Sequence, residues 1–123
     1  MTFAISHSIL YPERGNMVCE PLDFSKAMSF DFTPPDTNRF PCLRHAYGAL
    51  AAGGTATTAF NASNEVAVAN FISGKIRWVD IPVVVGETLS AFNPIEPQSL
   101  DDVLASDALA RVRAAEIIKK RFL

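Results

Sequence analysis

The residues that could perform chemistry are few, and their spacing does not build a catalytic or metal site. His7 and His45 are the only histidines, and neither has an acidic or cysteine neighbour at a metal-ligand spacing on one helix face. Ser6, His7 and Glu13 offer the residue types of a hydrolase triad, but adjacent residues do not face one another in a helix and no nucleophile-elbow glycine pattern is present. We therefore predict no catalytic residue and no metal ligand.

The glycines do not form a nucleotide-binding pattern. Gly53, Gly54 and Gly86 match neither the GxGxxG fingerprint nor a Walker loop, the patterns that bring backbone N–H groups to a bound phosphate. We therefore predict no cofactor-binding residue and expect no cofactor for this chain alone.

A polar segment from Thr57 to Glu65 interrupts the apolar pattern around it. Asn61 and Glu65 lie one helical turn apart, as do Phe60 and Asn64, so the polar groups could either cap the helix or fix it against a neighbouring domain. Short polar side chains such as Asn61 also cap helices, and capping is the simpler interpretation. The alternative is that Asn61, Asn64 and Glu65 fix the helix against a neighbouring domain, which makes these three residues the candidates for interdomain packing.

Composition indicates a globular chain of domain size. It has 123 residues, 49% of them hydrophobic and 20% charged, with a formal net charge of -2. Lys and Arg are scattered until the basic run Lys119-Lys120-Arg121, where cations face the negative end of a helix dipole. A nucleic-acid partner is therefore not expected.

Several features favour a cytoplasmic protein. Cys19 and Cys42 have neither disulfide-framework nor zinc-finger spacing. The apolar stretch around residues 81–85 is far shorter than the roughly 20 residues that span a bilayer. Residues 1–7 lack a basic region and a cleavage site typical of a signal peptide. We expect no membrane partner.

The first 38 residues differ in pattern from the rest. The apolar residues of 1–10 could share one side of a short helix, which Pro12 must end. From Met28 to Phe32 apolar and polar residues alternate, which predicts a half-buried strand. Because no other segment offers a strand partner, this strand must join a sheet supplied by another domain or subunit.

From residue 39 onward the pattern predicts a bundle of four helices. Their boundaries follow from proline, glycine and capping residues. The first predicted helix starts at Pro41 and stops at Gly53-Gly54, and the second runs from the N-cap Asn61 to Ser73. The third opens at the N-cap Asp80 and closes at Asn93-Pro94. The fourth opens with a Ser99–Asp102 capping box and continues toward the C-terminus, with Ser106 as an alternative start of a separate terminal helix.

Four motifs carry a family resemblance. Thr57-Thr58-Ala59-Phe60-Asn61-Ala62-Ser63-Asn64-Glu65 is similar to the Thr-Thr-Ala-Leu-Asn-Ala-Ala-Asn-Glu stretch of 1-deoxy-D-xylulose-5-phosphate reductoisomerases. Pro21-Leu22-Asp23 resembles the linker of that family, Phe40-Pro41-Cys42-Leu43 the entry to its C-terminal domain, and Asp101-Asp102-Val103-Leu104 its final-helix motif. Order and spacing agree over the whole chain, which therefore resembles the C-terminal part of the family.

The resemblance implies an NADPH-dependent enzyme of isoprenoid biosynthesis that uses Mg²⁺ or Mn²⁺ and forms a homodimer. It implies that residues 1–38 are the tail of an α/β catalytic domain, including its last helix, and a linker with one strand. Residues 39–123 would be the C-terminal helical bundle, giving a mainly α chain. The NADPH and catalytic domains of the reductoisomerase would be its partners.

Only Met1 is placed near the chemistry by the resemblance. Met1-Thr2-Phe3-Ala4-Ile5-Ser6-His7 is similar to the family's Met-Arg-Thr-Pro-Ile-Ala-His, whose methionine lies close to the substrate and nicotinamide. The family's nucleotide loop, metal carboxylates and phosphate ligands precede that methionine, so the chain alone is expected to be inactive. The alternative is an independent, non-enzymatic helical interaction module that associates with a full-length subunit.

Overall fold

The computed structural model describes residues 2–13, 15, 20 and 22–123. Within them the secondary structure is helical, with no strand, which confirms the mainly α prediction. The elements are α1 Thr2–Leu10, α2 Pro41–Ala52, α3 Ala56–Ile72, a 3₁₀ turn at Trp78–Asp80, α4 Ile81–Ser90 and α5 Leu100–Arg121. Contacts divide the chain into two compact units, Met1–Pro34 and Pro35–Leu123. The assignment of residues 1–38 to a catalytic domain and linker remains a prediction.

Helix α1 is the main element of the first unit. It ends at Leu10, before Pro12, as the sequence predicts. None of its residues is buried, and Phe3, Ile5 and Ile9 all expose more than half of their surface, at 68%, 53% and 75%. The apolar side of α1 therefore has no cover within its own unit.

The strand predicted at Met28–Phe32 is absent from this structure. Residues 27–36 carry no helix or strand, and Met28, Phe30 and Phe32 are exposed. A strand exists only when its backbone N–H and C=O groups pair with a neighbour, and the sequence offers none. The strand is therefore not confirmed in this chain by itself, and its formation on a sheet of another domain or subunit remains a prediction.

Helices α2 and α3 meet at a turn of two glycines. Pro41 opens α2, where a missing N–H costs nothing, and α2 ends at the predicted Gly53-Gly54. Helix α3 starts at Ala56, five residues before the predicted N-cap Asn61, so the capping role of Asn61 was wrong. The reason is tertiary: Thr55 N–H donates to the Ile95 carbonyl at 2.9 Å, and Ile95 N–H donates to Thr55 Oγ1 at 3.1 Å.

Helix α4 starts where the sequence predicts but is capped differently. Asp80 immediately precedes Ile81 and Pro82, yet its side chain does not cap α4. Its carboxylate instead accepts from the Arg77 backbone N–H at 2.8 Å, which closes the 3₁₀ turn Trp78–Asp80. The cap prediction was therefore wrong, although the position of the helix was right.

Helix α5 runs unbroken from Leu100 to Arg121 and begins at the predicted capping box. Asp102 N–H donates to Ser99 Oγ at 3.2 Å, and Ser99 N–H donates to the Asp102 carboxylate at 3.0 Å. Ser106 is buried within this helix, so the alternative start at Ser106 was wrong.

Removing the capping hydroxyl should weaken α5. We expect Ser99→Ala to lower the free energy of unfolding by about 1 kcal/mol, because one N–H of the first turn loses its acceptor. Ser90→Ala is the control: the Ser90 hydroxyl only donates back to the Gly86 carbonyl within α4, and its loss should change little. Urea denaturation measures both, and equal losses would contradict the capping role.

The core of the second unit lies between α3, α4 and α5, with α2 packed on α3 and α4. Its larger residues include Val84, Val85 and Ile118, and full burial of such side chains stabilises by roughly 1.5–3 kcal/mol each. Alanines fill the closest approaches between helices, at Ala59, Ala62, Ala67, Ala110 and Ala114, all fully buried. In the part of the chain that the structure describes, no helix is both long and apolar enough to cross a membrane.

Candidate functional site

Two of the three interdomain candidates belong to one polar network between α3 and α5. Asn61 Nδ2 donates to Glu65 Oε1 at 3.0 Å, and Arg111 Nη2 donates to Glu65 Oε2 at 2.6 Å. Arg111 also donates through Nε to Asp107 Oδ2 at 2.6 Å, one turn earlier on α5. The Arg111 guanidinium thus joins two helices through two carboxylates.

The network fixes the charge of its members. Hydrogen bonds from Arg111 and then from Asn61 hold the pKa of the Glu65 carboxyl below its ordinary value, so it is ionised at neutral pH. Hydrogen bonds to Asp107 and Glu65 raise the pKa of Arg111. The side chains of Glu65 and Arg111 are about half exposed to water, so the ion pair adds little to the free energy of unfolding. Its main effect is to hold α3 and α5 in a fixed relative position.

Asn64 makes no hydrogen bond in this network and lines a groove of the second unit. The groove has a volume of about 390 Å³ and is mainly apolar. Its walls come from the start of α2, from α3 and from the 3₁₀ turn: Arg39, Phe40, Pro41, Cys42, Asn64, Val68, Trp78, Val79, Ile81 and Pro82. Trp78 and Val79 expose 57% and 52% of their surface, so about half of each of these two side chains faces solvent.

The Cys42 thiol in this groove is not activated. Burial raises its pKa, which keeps the sulfur protonated at neutral pH. The thiolate is the nucleophilic form of cysteine, so Cys42 serves as a small apolar side chain of the groove wall.

A second groove separates α2 from α4 and contains His45. Its volume is about 880 Å³, and Arg44, His45, Gly48, Gly86 and Glu87 are among its lining residues. The His45 ring packs over Gly86, where a Cβ would come within 2.9 Å of His45 Cε1. The close contact gives His45 a packing role in the helix pair. His7, in the first unit, stacks edge-on against Tyr11.

No three His, Cys, Asp or Glu side chains gather as a metal site in the ranges that the structure describes. Ser6, His7 and Glu13 make no hydrogen bonds with one another there. Met1 lies outside the described residues. The geometry of the described residues therefore supports packing and contact roles.

Arg111 and Asp107 are the members of this polar network that sequence reasoning missed. Asp107 and Arg111 stand four residues apart on α5, the spacing of a helical ion pair, and that was the available local signal. The bond from Arg111 to Glu65 joins positions 46 residues apart, which no spacing rule detects.

The Arg77–Asp80 pair should make stability sensitive to acid. The Arg77 guanidinium beside Asp80 holds the pKa of that carboxyl below its ordinary value of 3.8. A carboxyl with a lowered folded pKa stabilises fully above its unfolded pKa, and this contribution is lost as pH falls through the folded pKa. Wild-type unfolding free energy should therefore decrease between about pH 5 and about pH 2.

Substitution isolates the contribution of this carboxyl. Asp80→Asn should lower stability at neutral pH and make its decrease with acid shallower, measured by denaturant titration at several pH values. Asp31→Asn removes an exposed carboxyl outside the helical unit and is the control. A slope that is the same in Asp80→Asn and wild type would contradict the assignment.

Comparison with known families identifies relatives over nearly the whole chain. The family model described as DXP reductoisomerase C-terminal domain matches residues 1–113. The 1-deoxy-D-xylulose 5-phosphate reductoisomerase of Zymomonas mobilis subsp. mobilis is 40% identical over 119 residues, covering 97% of this chain and 31% of the relative. The Burkholderia multivorans enzyme is 46% identical over 120 residues, covering 98% and 30%. The chain thus spans about a third of the length of these relatives.

Solved structures agree with the sequence relatives. The Zymomonas mobilis reductoisomerase in complex with NADPH has a TM-score of 0.83 and 41% identity, covering 94% of this chain and 30% of that one. A DOX-P reductoisomerase in complex with magnesium has a TM-score of 0.78 and 33% identity, covering 97% and 32%. The two TM-scores show that this chain shares the fold of these structures, and the two identities show that it is also related to them in sequence.

Proposed function

The chain belongs to the DXP reductoisomerase C-terminal domain family, and we propose that it forms the C-terminal part of an NADPH- and divalent-metal-dependent 1-deoxy-D-xylulose 5-phosphate reductoisomerase. The solved relatives were crystallised with NADPH and with magnesium, which supports these cofactors for the complete enzyme. In this proposal the metal and the nucleotide are bound by the other parts of the complete enzyme. We infer that this chain alone is inactive.

The observation that carries the proposal is the uncovered apolar surface of the first unit. Helix α1 buries no residue, and Phe24, Phe30 and Phe32 expose 84%, 66% and 92% of their surface. Extensive exposed apolar surface is typical of a face that contacts another protein surface. The rest of the reductoisomerase would supply that cover, with residues 1–38 as tail and linker and 39–123 as a four-helix bundle.

The Met28–Phe32 segment and Met1 would have their roles only within the complete enzyme. The Met28–Phe32 strand would form by pairing with a sheet of the catalytic domain, and Met1 would lie near the substrate or nicotinamide. The enzyme would be a cytoplasmic homodimer.

The bundle would act on catalysis by positioning rather than by chemistry. The interdomain candidates divide in two, since Glu65 is held by Arg111 and Asn61 while Asn64 has no side-chain hydrogen bond among the described residues. A partly buried amide without a partner can accept or donate to a neighbouring domain. We propose that Asn64 makes the interdomain contact and that Asn61 and Glu65 keep α3 and α5 in register behind it.

Substitution in the complete enzyme tests this role. Asn64→Ala should reduce turnover on the order of tenfold, because small displacements of a supporting wall misplace the reacting groups. Glu65→Ala should act in the same direction through the Arg111 bridge, and Asn93→Ala, at an exposed position after α4, is the control. Unchanged stability and turnover in both variants would remove the positioning role.

A non-enzymatic interaction module is the second candidate. The exposed alternation of Met28, Phe30 and Phe32 favours it, because an extended segment of this pattern can add to the edge of another sheet. Co-purification of this chain with a full-length reductoisomerase subunit would support the module, and Phe30→Asp should then abolish it. A chain that stays unbound would contradict it.

A further inference from the structure

The groove that Asn64 lines, here the Trp78 groove, has the size and the lining of a small-ligand site. Its volume of about 390 Å³ lies within the roughly 300–1,000 Å³ of ligand pockets, which are mostly apolar and contain a few polar groups. Its apolar lining residues are Phe40, Pro41, Cys42, Val68, Trp78, Val79, Ile81 and Pro82. The groove therefore has room for one small apolar group.

Two aromatic side chains of this lining leave part of their rings accessible. Phe40 exposes 48% of its surface and Trp78 exposes 57%. Phe40 immediately precedes α2 and Trp78 opens the 3₁₀ turn, so the two rings come from different elements of one packed unit. Aromatic rings attract one another in offset-stacked and edge-on arrangements. An aromatic ring is therefore the apolar group that suits this lining best.

The charge of the groove comes from Arg39. No Asp or Glu is among the described residues that line it. The Arg39 guanidinium lies 5.6 Å from the centre of the Phe40 ring and forms no ion pair in the described parts of the chain. Two neighbouring carboxylates have other partners, since Asp36 accepts from backbone N–H groups and Asp80 pairs with Arg77. The groove therefore complements a negatively charged group.

Polar groups of Asn64 and Trp78 are also available to a ligand. Neither side chain has a hydrogen-bond partner among the residues that the structure describes, whereas Asn61, Ser63 and Asn70 on α3 all have one. The Asn64 amide and the Trp78 indole N–H can both donate, and a carboxylate accepts several such bonds. Hydrogen bonds to an ionised group are stronger than those between neutral groups. A carboxylate thus matches the donors of this groove.

We propose that the Trp78 groove binds a small aromatic carboxylate, with the ring against Phe40 and Trp78 and the carboxylate at Arg39. A ligand of about ten non-hydrogen atoms in a half-open groove binds with a Kd on the order of 1 mM. Because Asn64 also carries the proposed interdomain contact, such a ligand would compete with that contact in the complete enzyme. Binding to the 123-residue chain is measured without an enzymatic assay, so a negative result leaves the enzymatic proposal standing.

Phenylacetate is the probe, and phenylacetamide, which has the same shape without the charge, is the neutral comparison. NMR titration of the isotope-labelled chain follows Trp78, whose indole N–H gives a single signal because the chain has one tryptophan. At low ionic strength phenylacetate should shift this signal to saturation with a Kd on the order of 1 mM, and phenylacetamide should bind on the order of tenfold more weakly. No saturable shift with phenylacetate up to about 20 mM, or equal binding of the two compounds, would overturn the proposal.

Substitution of Arg39 tests the position of the carboxylate. Arg39→Gln should reduce the affinity for phenylacetate to that for phenylacetamide and leave phenylacetamide binding unchanged, whereas Asn64→Ala should weaken phenylacetate binding without removing the preference for it. Arg44→Gln is the control, because it removes an exposed arginine of α2 that does not line this groove. Circular dichroism checks that each variant remains folded. A preference for phenylacetate that survives Arg39→Gln would exclude the proposed site.

Discussion

We expect Gly54→Ala to lower the free energy of unfolding by about 2–4 kcal/mol. Gly54 has φ +52°, a left-handed conformation that costs other residues roughly 1–2 kcal/mol. An added Cβ would overlap the Ile95 carbonyl oxygen and stand 2.9 Å from the carbonyl carbon. Backbone cannot move aside cheaply, so the two hydrogen bonds between Thr55 and Ile95 would be strained, at about 1 kcal/mol each.

Gly48→Ala is the matched control. Gly48 lies within α2, and a Cβ there would meet nothing within 4 Å. Alanine favours a helix over glycine by roughly 1 kcal/mol, so this variant should be equally or more stable than wild type. Urea denaturation compares the two substitutions. Similar changes in the two variants would show that the Gly54–Ile95 contact does not constrain the fold.

Ala114→Leu has the second large expected effect, a loss of about 1–3 kcal/mol. Ala114 is fully buried on the inner side of α5, in the cluster that contains Val84, Val85 and Ile118. A larger side chain there must push α5 away from its neighbours or adopt a strained rotamer. Both responses weaken the contacts between α5 and the helices packed against it.

Ala115→Leu separates packing from helix propensity. Ala115 is the next residue on α5 and is exposed. Leucine and alanine have similar helix propensities, so this variant should change stability by less than about 0.5 kcal/mol. Thermal and urea unfolding at low protein concentration measure both variants, and equal losses would mean that the inner face is not close-packed.

The most accurate predictions from the sequence were the helix boundaries that depend only on residues close along the chain. Pro41, Gly53-Gly54 and the Ser99–Asp102 box lie where the structure begins or ends helices, because each acts on the backbone within one turn. The start of α3 was missed because Thr55 is satisfied by Ile95, a partner 40 residues away. The local pattern gave a better helix start at Asn61, and tertiary contact overrode it.

The candidate site also combines a local contact with one between residues distant in sequence. The sequence placed Asn61 and Glu65 one helical turn apart, and the structure joins their side chains at 3.0 Å. It could not identify Arg111, whose guanidinium turns that local pair into a bridge between helices. The Met28–Phe32 alternation indicated a strand, but an alternating pattern specifies only a surface and not the partner that makes it a strand.

The central claim is that the chemistry of the reductoisomerase lies outside this chain. The most direct test is NADPH oxidation with 1-deoxy-D-xylulose 5-phosphate and Mg²⁺, measured for the 123-residue chain beside the longer reductoisomerase of Zymomonas mobilis, of which this chain matches 31%. We expect no NADPH consumption above background by the 123-residue chain and turnover by the longer one. NADPH-dependent turnover by the 123-residue chain alone would contradict the claim.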